Sequence, residues 1–98
     1  MIGDTLRPIA EDVARAMDVT LPELYSTRRH KTLVAARHTA IWLASRCTPY
    51  PLSVIARHFM RDRTSVEHAI EMVNKQRAQD TALAEKLKRL QARHTMTI

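Results

Sequence analysis

Five consecutive residues, Arg61-Asp62-Arg63-Thr64-Ser65, carry the functional groups that read duplex DNA. Arginine forks onto guanine, a carboxylate accepts from cytosine N4, and threonine offers thymine a hydroxyl and a methyl. The flanking pattern puts these groups at the start of a helix. Val66, Ala69, Ile70 and Val73 recur at helical spacing over residues 63–76, so Arg63, Thr64, Glu67, His68, Glu71 and Lys75 fall on the opposite face. Leu52, Ile55, Ala56 and Phe59 predict a shorter amphipathic helix over 51–58, and Met60-Arg61-Asp62 is a tight connection. Two helices joined this way form a helix-turn-helix pattern, whose second helix reads base edges with its first residues. The pattern by itself is weak, because any small helical bundle contains such pairs. Capping is the competing explanation: Asp62 as an ordinary N-cap, or Thr64 with Glu67 as a capping box. Capping does not account for two arginines at a helix N-terminus, where the macrodipole disfavours cations. A phosphate nearby would relieve that conflict.

The charge distribution points the same way. Sixteen Lys and Arg against ten Asp and Glu leave a net +6 in 98 residues. Residues 1–24 are net −3, residues 25–63 net +7 and residues 64–98 net +2. A positive field concentrated in one third of the chain is the footprint of a polyanion, most often nucleic acid. A basic surface with no partner has the same composition, so charge alone leaves both readings open.

The chain that must position these groups reads as one all-α domain over residues 1–98, with five or six helices. Leu6, Ile9, Val13 and Met17 mark a first helix, with Thr5 as N-cap and Pro8 in its first turn. Leu21–Leu24 is a short turn capped by Thr20, and residues 26–31 are a polar basic loop. A long helix over 31–47 is apolar on most sides, which makes it the central one. Thr48-Pro49-Tyr50-Pro51 ends it. Asp80 or Thr81 caps a last helix with the stripe Leu83, Leu87 and Leu90, and residues 93–98 are expected to fray. A single glycine leaves no Gly-rich phosphate loop, so no nucleotide site or other cofactor is expected. A single cysteine excludes an internal disulfide and a CxxC zinc site. No apolar run approaches a membrane span, and the N-terminus lacks a signal core, so a cytoplasmic, nucleoid-associated protein is expected.

These residues resemble a family. Arg61 to Ala69 is similar to the RDHTTVLHA signature of the DNA-binding domain of the bacterial replication initiator DnaA. Ser26 to Lys31 resembles the basic loop before that family's long helix, and Ala36 to Leu43 its ARQIAMYL stretch. Thr48, Leu52-Ser53-Val54-Ile55 and Phe59 resemble T-x-x-S-L-x-E-I…F, and Val13 to Leu24 the opening helix and its V-x-x-L turn. The similarity runs over roughly residues 5–92 and does not include an ATPase module, which implies a stand-alone DNA-binding domain.

The resemblance implies a compact helical fold with an embedded helix-turn-helix, and double-stranded DNA carrying a TTATCCACA-like box as ligand. By position, Arg29, beside Arg28 in the basic loop, enters the minor groove. Asp62, Arg63 and Thr64 face bases in the major groove. Ser65 lies at bases or phosphate, and Lys31, Arg37 and His38 hold phosphates. Arg61 and His68 complete the DNA-facing set. An asymmetric site needs no dimer, so a monomer is expected, with a role in replication initiation or transcription control and room for a protein partner there. The departures are Arg63 where the family has His, Met60 in place of Gly-Gly, Glu67 for Leu and Pro51 for a capping Ser. Arg63 and the shortened turn put the preferred DNA sequence in question.

Two other classes compete. Catalysis is disfavoured: the five histidines form no HExxH pair, and Cys47 lies on an apolar stripe. A protein-interaction module would use Leu83, Leu87 and Leu90, with only non-specific DNA binding. Trp42 offers a base-stacking surface, but mid-helix between Ile41 and Leu43 it reads as core.

Overall fold

The computed structural model describes residues 2–94, with side chains from Thr5 onward. Six helices follow one another: α1 (Ile2–Ala16), α2 (Leu21–Tyr25), α3 (Lys31–Cys47), α4 (Leu52–His58), α5 (Arg63–Gln79) and α6 (Thr81–His94). No strand occurs among the described residues.

That α3 is apolar on most sides has the consequence expected of it: α3 touches each of the other five helices. Ala36, Ala40, Ile41, Trp42, Leu43 and Ala44 are buried along it. Around it, α1 contributes Leu6, Ile9, Ala10 and Val13, α4 contributes Ile55, and α5 contributes Val66, Ala69 and Val73. Trp42 is core, 1% exposed, and its indole Nε1–H donates to Asn74 Oδ1 at 2.9 Å. A buried indole with its one donor satisfied stabilises without a desolvation penalty.

The start of α1 differs from the sequence expectation. The helix begins at Ile2, so Thr5 lies inside it and not at its cap. The Thr5 hydroxyl instead accepts from Tyr50 OH at 3.3 Å, and Pro8 lies exposed within the helix. The buried stripe of α1 holds the helix together through the proline. At its other end the N–H of Asp18, at φ 57°, bonds Arg15 O, and Val19 N–H bonds Ala14 O. That is a Schellman cap with aspartate in the left-handed position. In α2 the capping box between Thr20 and Glu23 forms in both directions, and it holds the Glu23 carboxyl below its ordinary pKa.

The last two helices run further than periodicity indicates. Beyond Val73, α5 continues to Gln79, because Asn74 and Arg77 are engaged with Trp42. Asp80 caps α6 by accepting from Leu83 N–H at 3.1 Å. The expected fraying at residues 93 and 94 does not occur. Arg93 Nη1 bonds Asp12 Oδ1 at 2.7 Å and His94 Nε2 lies 2.9 Å from Asp12 Oδ2, pinning the end of α6 to α1. The remainder of the expected tail, residues 95–98, lies outside the described residues.

Leu87 and Leu90 are buried in the common core and Leu83 packs against it. The stripe considered as a partner surface therefore closes the domain itself. Replacing Leu87 by Ala should cost about 2–5 kcal/mol of stability, the range for truncating a buried leucine. Denaturant unfolding measures it, and a cost below about 0.5 kcal/mol, typical of surface sites, would contradict this placement.

Candidate nucleic-acid interface

The connection between α4 and α5 is built from backbone bonds. Met60 N–H bonds Arg57 O and Arg61 N–H bonds Ala56 O, a second Schellman cap with Met60 in the left-handed region at φ 56°. A non-glycine residue there costs on the order of 1 kcal/mol. The cap turns the chain sharply enough for α5 to begin three residues later. Asp62 then closes the N-terminus of α5: its Oδ1 accepts from Ser65 N–H at 2.8 Å, and the Ser65 hydroxyl and N–H together hold the carboxyl below its ordinary pKa. Of the two capping arrangements the sequence allows, this is the one adopted. Glu67 instead pairs with Arg63 at 3.1 Å, both side chains exposed. That pair offsets part of the conflict between Arg63 and the macrodipole.

The basic loop between α2 and α3 is held from two sides by arginines acting on its backbone. Arg37 Nε–H donates to Leu24 O at 2.9 Å, and Arg37 Nη2 donates to Arg28 O at 3.1 Å. Arg61 Nη2 donates to Ser26 O at 2.8 Å. One anchor comes from α3 and the other from the helix-turn-helix connection. Loop and recognition turn are therefore tied to each other directly, and the Arg28 and Arg29 side chains remain exposed.

Between the loop, α3 and the start of α5 lies an open cleft. Arg29, Arg37, His38, Arg61, Asp62, Thr64, Ser65 and His68 line it, together with Thr27, Val34 and Ile41. Arg28, Lys31 and Arg63 are exposed but are not in its lining. The His38 and His68 rings meet edge to face with centroids 5.9 Å apart. Burial, His68 and Arg37 all push the His38 pKa below the ordinary imidazole value. Burial, with Arg61 and Arg29 nearby, lowers that of Arg37, which still stays charged at neutral pH. Cations crowd this cleft, and the one carboxylate lining it among the described residues, Asp62, is already engaged in capping.

The structure gives Arg37 a different part from the one its position in the sequence implies. It is 6% exposed and two of its donors go to backbone carbonyls, one at the end of α2 and one in the loop, so it is a positioning residue and not a free phosphate clamp. Sequence reasoning also missed Thr27, Val34 and Ile41 as cleft walls. The signal was present, since positions 34, 38 and 41 share one face of α3 with the basic residues.

Residues 6–73 match the family model described as bacterial dnaA protein helix-turn-helix. The chain belongs to that family. Its relatives include the chromosomal replication initiator protein DnaA of Nautilia profundicola, 36% identical over 87 residues. The proteins of the same name from Brucella abortus and Caldanaerobacter subterraneus are 38% identical over 86 residues and 32% over 89. These matches take in 87–91% of this chain but only 17–20% of the relatives' length. The chain thus spans about a fifth of those DnaA proteins.

Two predictions follow from the geometry. Arg37→Lys replaces a fork by a point donor, which cannot hold Leu24 O and Arg28 O together. Amide exchange in residues 26–30 should rise severalfold while the α3 core stays protected; unchanged loop protection would contradict the staple. The second concerns pH. His38 is depressed in the folded chain, as is His58, whose burial is accompanied by a 2.6 Å hydrogen bond with Tyr25 OH. The unfolded chain therefore takes up more protons as pH falls past about 6.5, and stability is lost on the acid side. A Tm measured without DNA should be flat above about pH 7.5 and fall toward pH 5.5; a rise on acidification would reverse the assigned sign.

Proposed function

We propose that the chain binds duplex DNA sequence-specifically, at a site resembling a DnaA box, and acts in the control of replication initiation or of transcription. The observation that carries this reading is the cleft. Residues far apart in sequence, from the basic loop, α3 and the start of α5, converge there with an excess of cations over acids.

In the proposed mode the first turn of α5 enters the major groove. Asp62, Arg63 and Thr64 read base edges, Asp62 with the oxygen that the cap leaves over and Arg63 with its Nη groups. Arg29, flanked by Arg28, reaches the adjoining minor groove, where a narrow A·T-rich segment attracts a guanidinium. Lys31, His38, Ser65 and His68 meet phosphates, and Arg61 does so while bracing the loop. Phosphate contacts supply most of the affinity and its salt dependence, and base contacts supply the discrimination. A monomer suffices, because the box is asymmetric. The role is one of binding and not of catalysis, exercised in the cytoplasm at the nucleoid. The relatives named above are replication initiators, which favours replication control of the two outputs.

Asp62→Ala would remove a cap and a base contact together, so Asp62→Asn is the cleaner variant, since Asn caps as well as Asp. Asp62→Asn and Thr64→Ala should each cost about 1–3 kcal/mol on the preferred duplex and leave affinity for a scrambled duplex unchanged. Equilibrium titration of both duplexes measures the ratio. If both variants keep the wild-type ratio, α5 does not read the sequence in this way.

A further inference from the structure

A second cationic site lies at the opposite end of the helices that form the cleft. His38 packs on His68 and Trp42 bonds Asn74, so α3 and α5 run in the same direction. Arg46 and Arg77 sit in their last turns. At about 1.5 Å per residue, this places them roughly 20 Å along the helices from the first turn of α5.

Both guanidiniums lie over the one Trp42 ring, their carbons 4.8 and 5.4 Å from its centroid. Each is oriented by its Nε–H, which donates to a neutral amide oxygen: Arg46 to Gln91 Oε1 at 3.3 Å and Arg77 to Asn74 Oδ1 at 3.1 Å. Neither forms an ion pair among the described residues. Stacking and the Nε bond together fix each plane and leave the Nη edges, the part of a guanidinium that forks onto a carboxylate. Two like charges held on one ring repel each other unless an anion joins them. Lys88 adds a third cation to the groove, and Glu85 is the only acid in its lining among the described residues. Ala84, Leu87 and Ala92 give it an apolar wall.

We propose that this groove docks an acidic segment of a partner protein: carboxylates bind the Nη edges of Arg46 and Arg77, and an apolar side chain rests against Ala84 and Ala92. A concave groove with an apolar wall suits a peptide better than the convex, wholly polar backbone of a duplex. Because the groove lies at the far end of the helices, a chain bound to DNA through the cleft would leave it accessible.

Trp42 is the only tryptophan, so its indole reports on the groove directly. The test titrates the isotope-labelled full chain with an acetylated, amidated peptide of alternating Glu-Leu and Asp-Leu pairs, and with its Gln-Leu and Asn-Leu counterpart. The indole Nε1–H and the Arg46 and Arg77 Nε–H resonances are followed. Saturable shifts with the acidic peptide alone, weakened at least about tenfold in Arg46→Gln/Arg77→Gln, are expected. That variant should keep wild-type DNA affinity and, outside the groove, wild-type amide shifts. No saturable shift at millimolar peptide, or equal response to both peptides, overturns the proposal. So does a scrambled duplex that shifts the indole where the acidic peptide does not, since that outcome makes the groove a nucleic-acid surface.

Discussion

The cleft depends on two arginines donating to backbone carbonyls of the end of α2 and of the loop that follows it. Arg37 reaches Leu24 O and Arg28 O from α3, and Arg61 reaches Ser26 O from the helix-turn-helix connection. Local bonds order the start of the loop: Ser26 Oγ donates to Glu23 O at 2.7 Å and accepts from Arg28 N–H at 3.3 Å. His30 opens α3 without a side-chain cap, and the first turn of α3 carries no acidic residue. Hydrogen bonds from a charged donor are each worth about 1.5–3 kcal/mol, enough to offset the entropy of ordering a residue or two. The anchoring also makes the two sides of the cleft one unit. The basic loop and the first turn of α5 are set relative to each other because Arg61 belongs to the turn and holds the loop.

This anchoring has an electrostatic cost, and the cost points to the ligand. Arg29 and Arg61 flank the buried Arg37, and two imidazoles face each other beside them. Among the described residues the only carboxylate lining the cleft is spent on Ser65 N–H. Such crowding destabilises the free protein and is relieved by an anion in the cleft. The fold tolerates it because its stability comes from elsewhere, from α3 buried among five helices and from Asp12 locking the end of α6.

Local signals in the sequence were readable where the structure is locally determined. The bounds of α3, the Thr20 cap and the two helices around Met60-Arg61-Asp62 all follow from periodicity, caps and prolines within a few residues. What escaped depends on partners distant in the chain. Nothing near Arg93 indicates that Asp12, 81 residues away, will hold it. Nothing near Val73 indicates that Arg77 will stack on Trp42 and extend α5. The role of Arg37 was misread for the same reason: an arginine in a basic segment looks like a phosphate ligand until the burial of its guanidinium is known. Most of the polar residues that the fold gathers around the cleft could be named from the sequence, and their division into backbone anchors and exposed side chains required the fold.

The central claim is that loop, α3 and α5 act as one sequence-reading surface for duplex DNA. It is tested most directly by fluorescence anisotropy of the wild-type chain on a duplex with one TTATCCACA box and on a scrambled duplex, each at low and at moderate salt. The account predicts tighter binding to the box at both salts and a steep loss of affinity with salt on either duplex. Equal affinity for the two duplexes would contradict sequence reading of this box by the cleft. Absence of salt-sensitive binding to either would contradict the cleft as a DNA surface altogether.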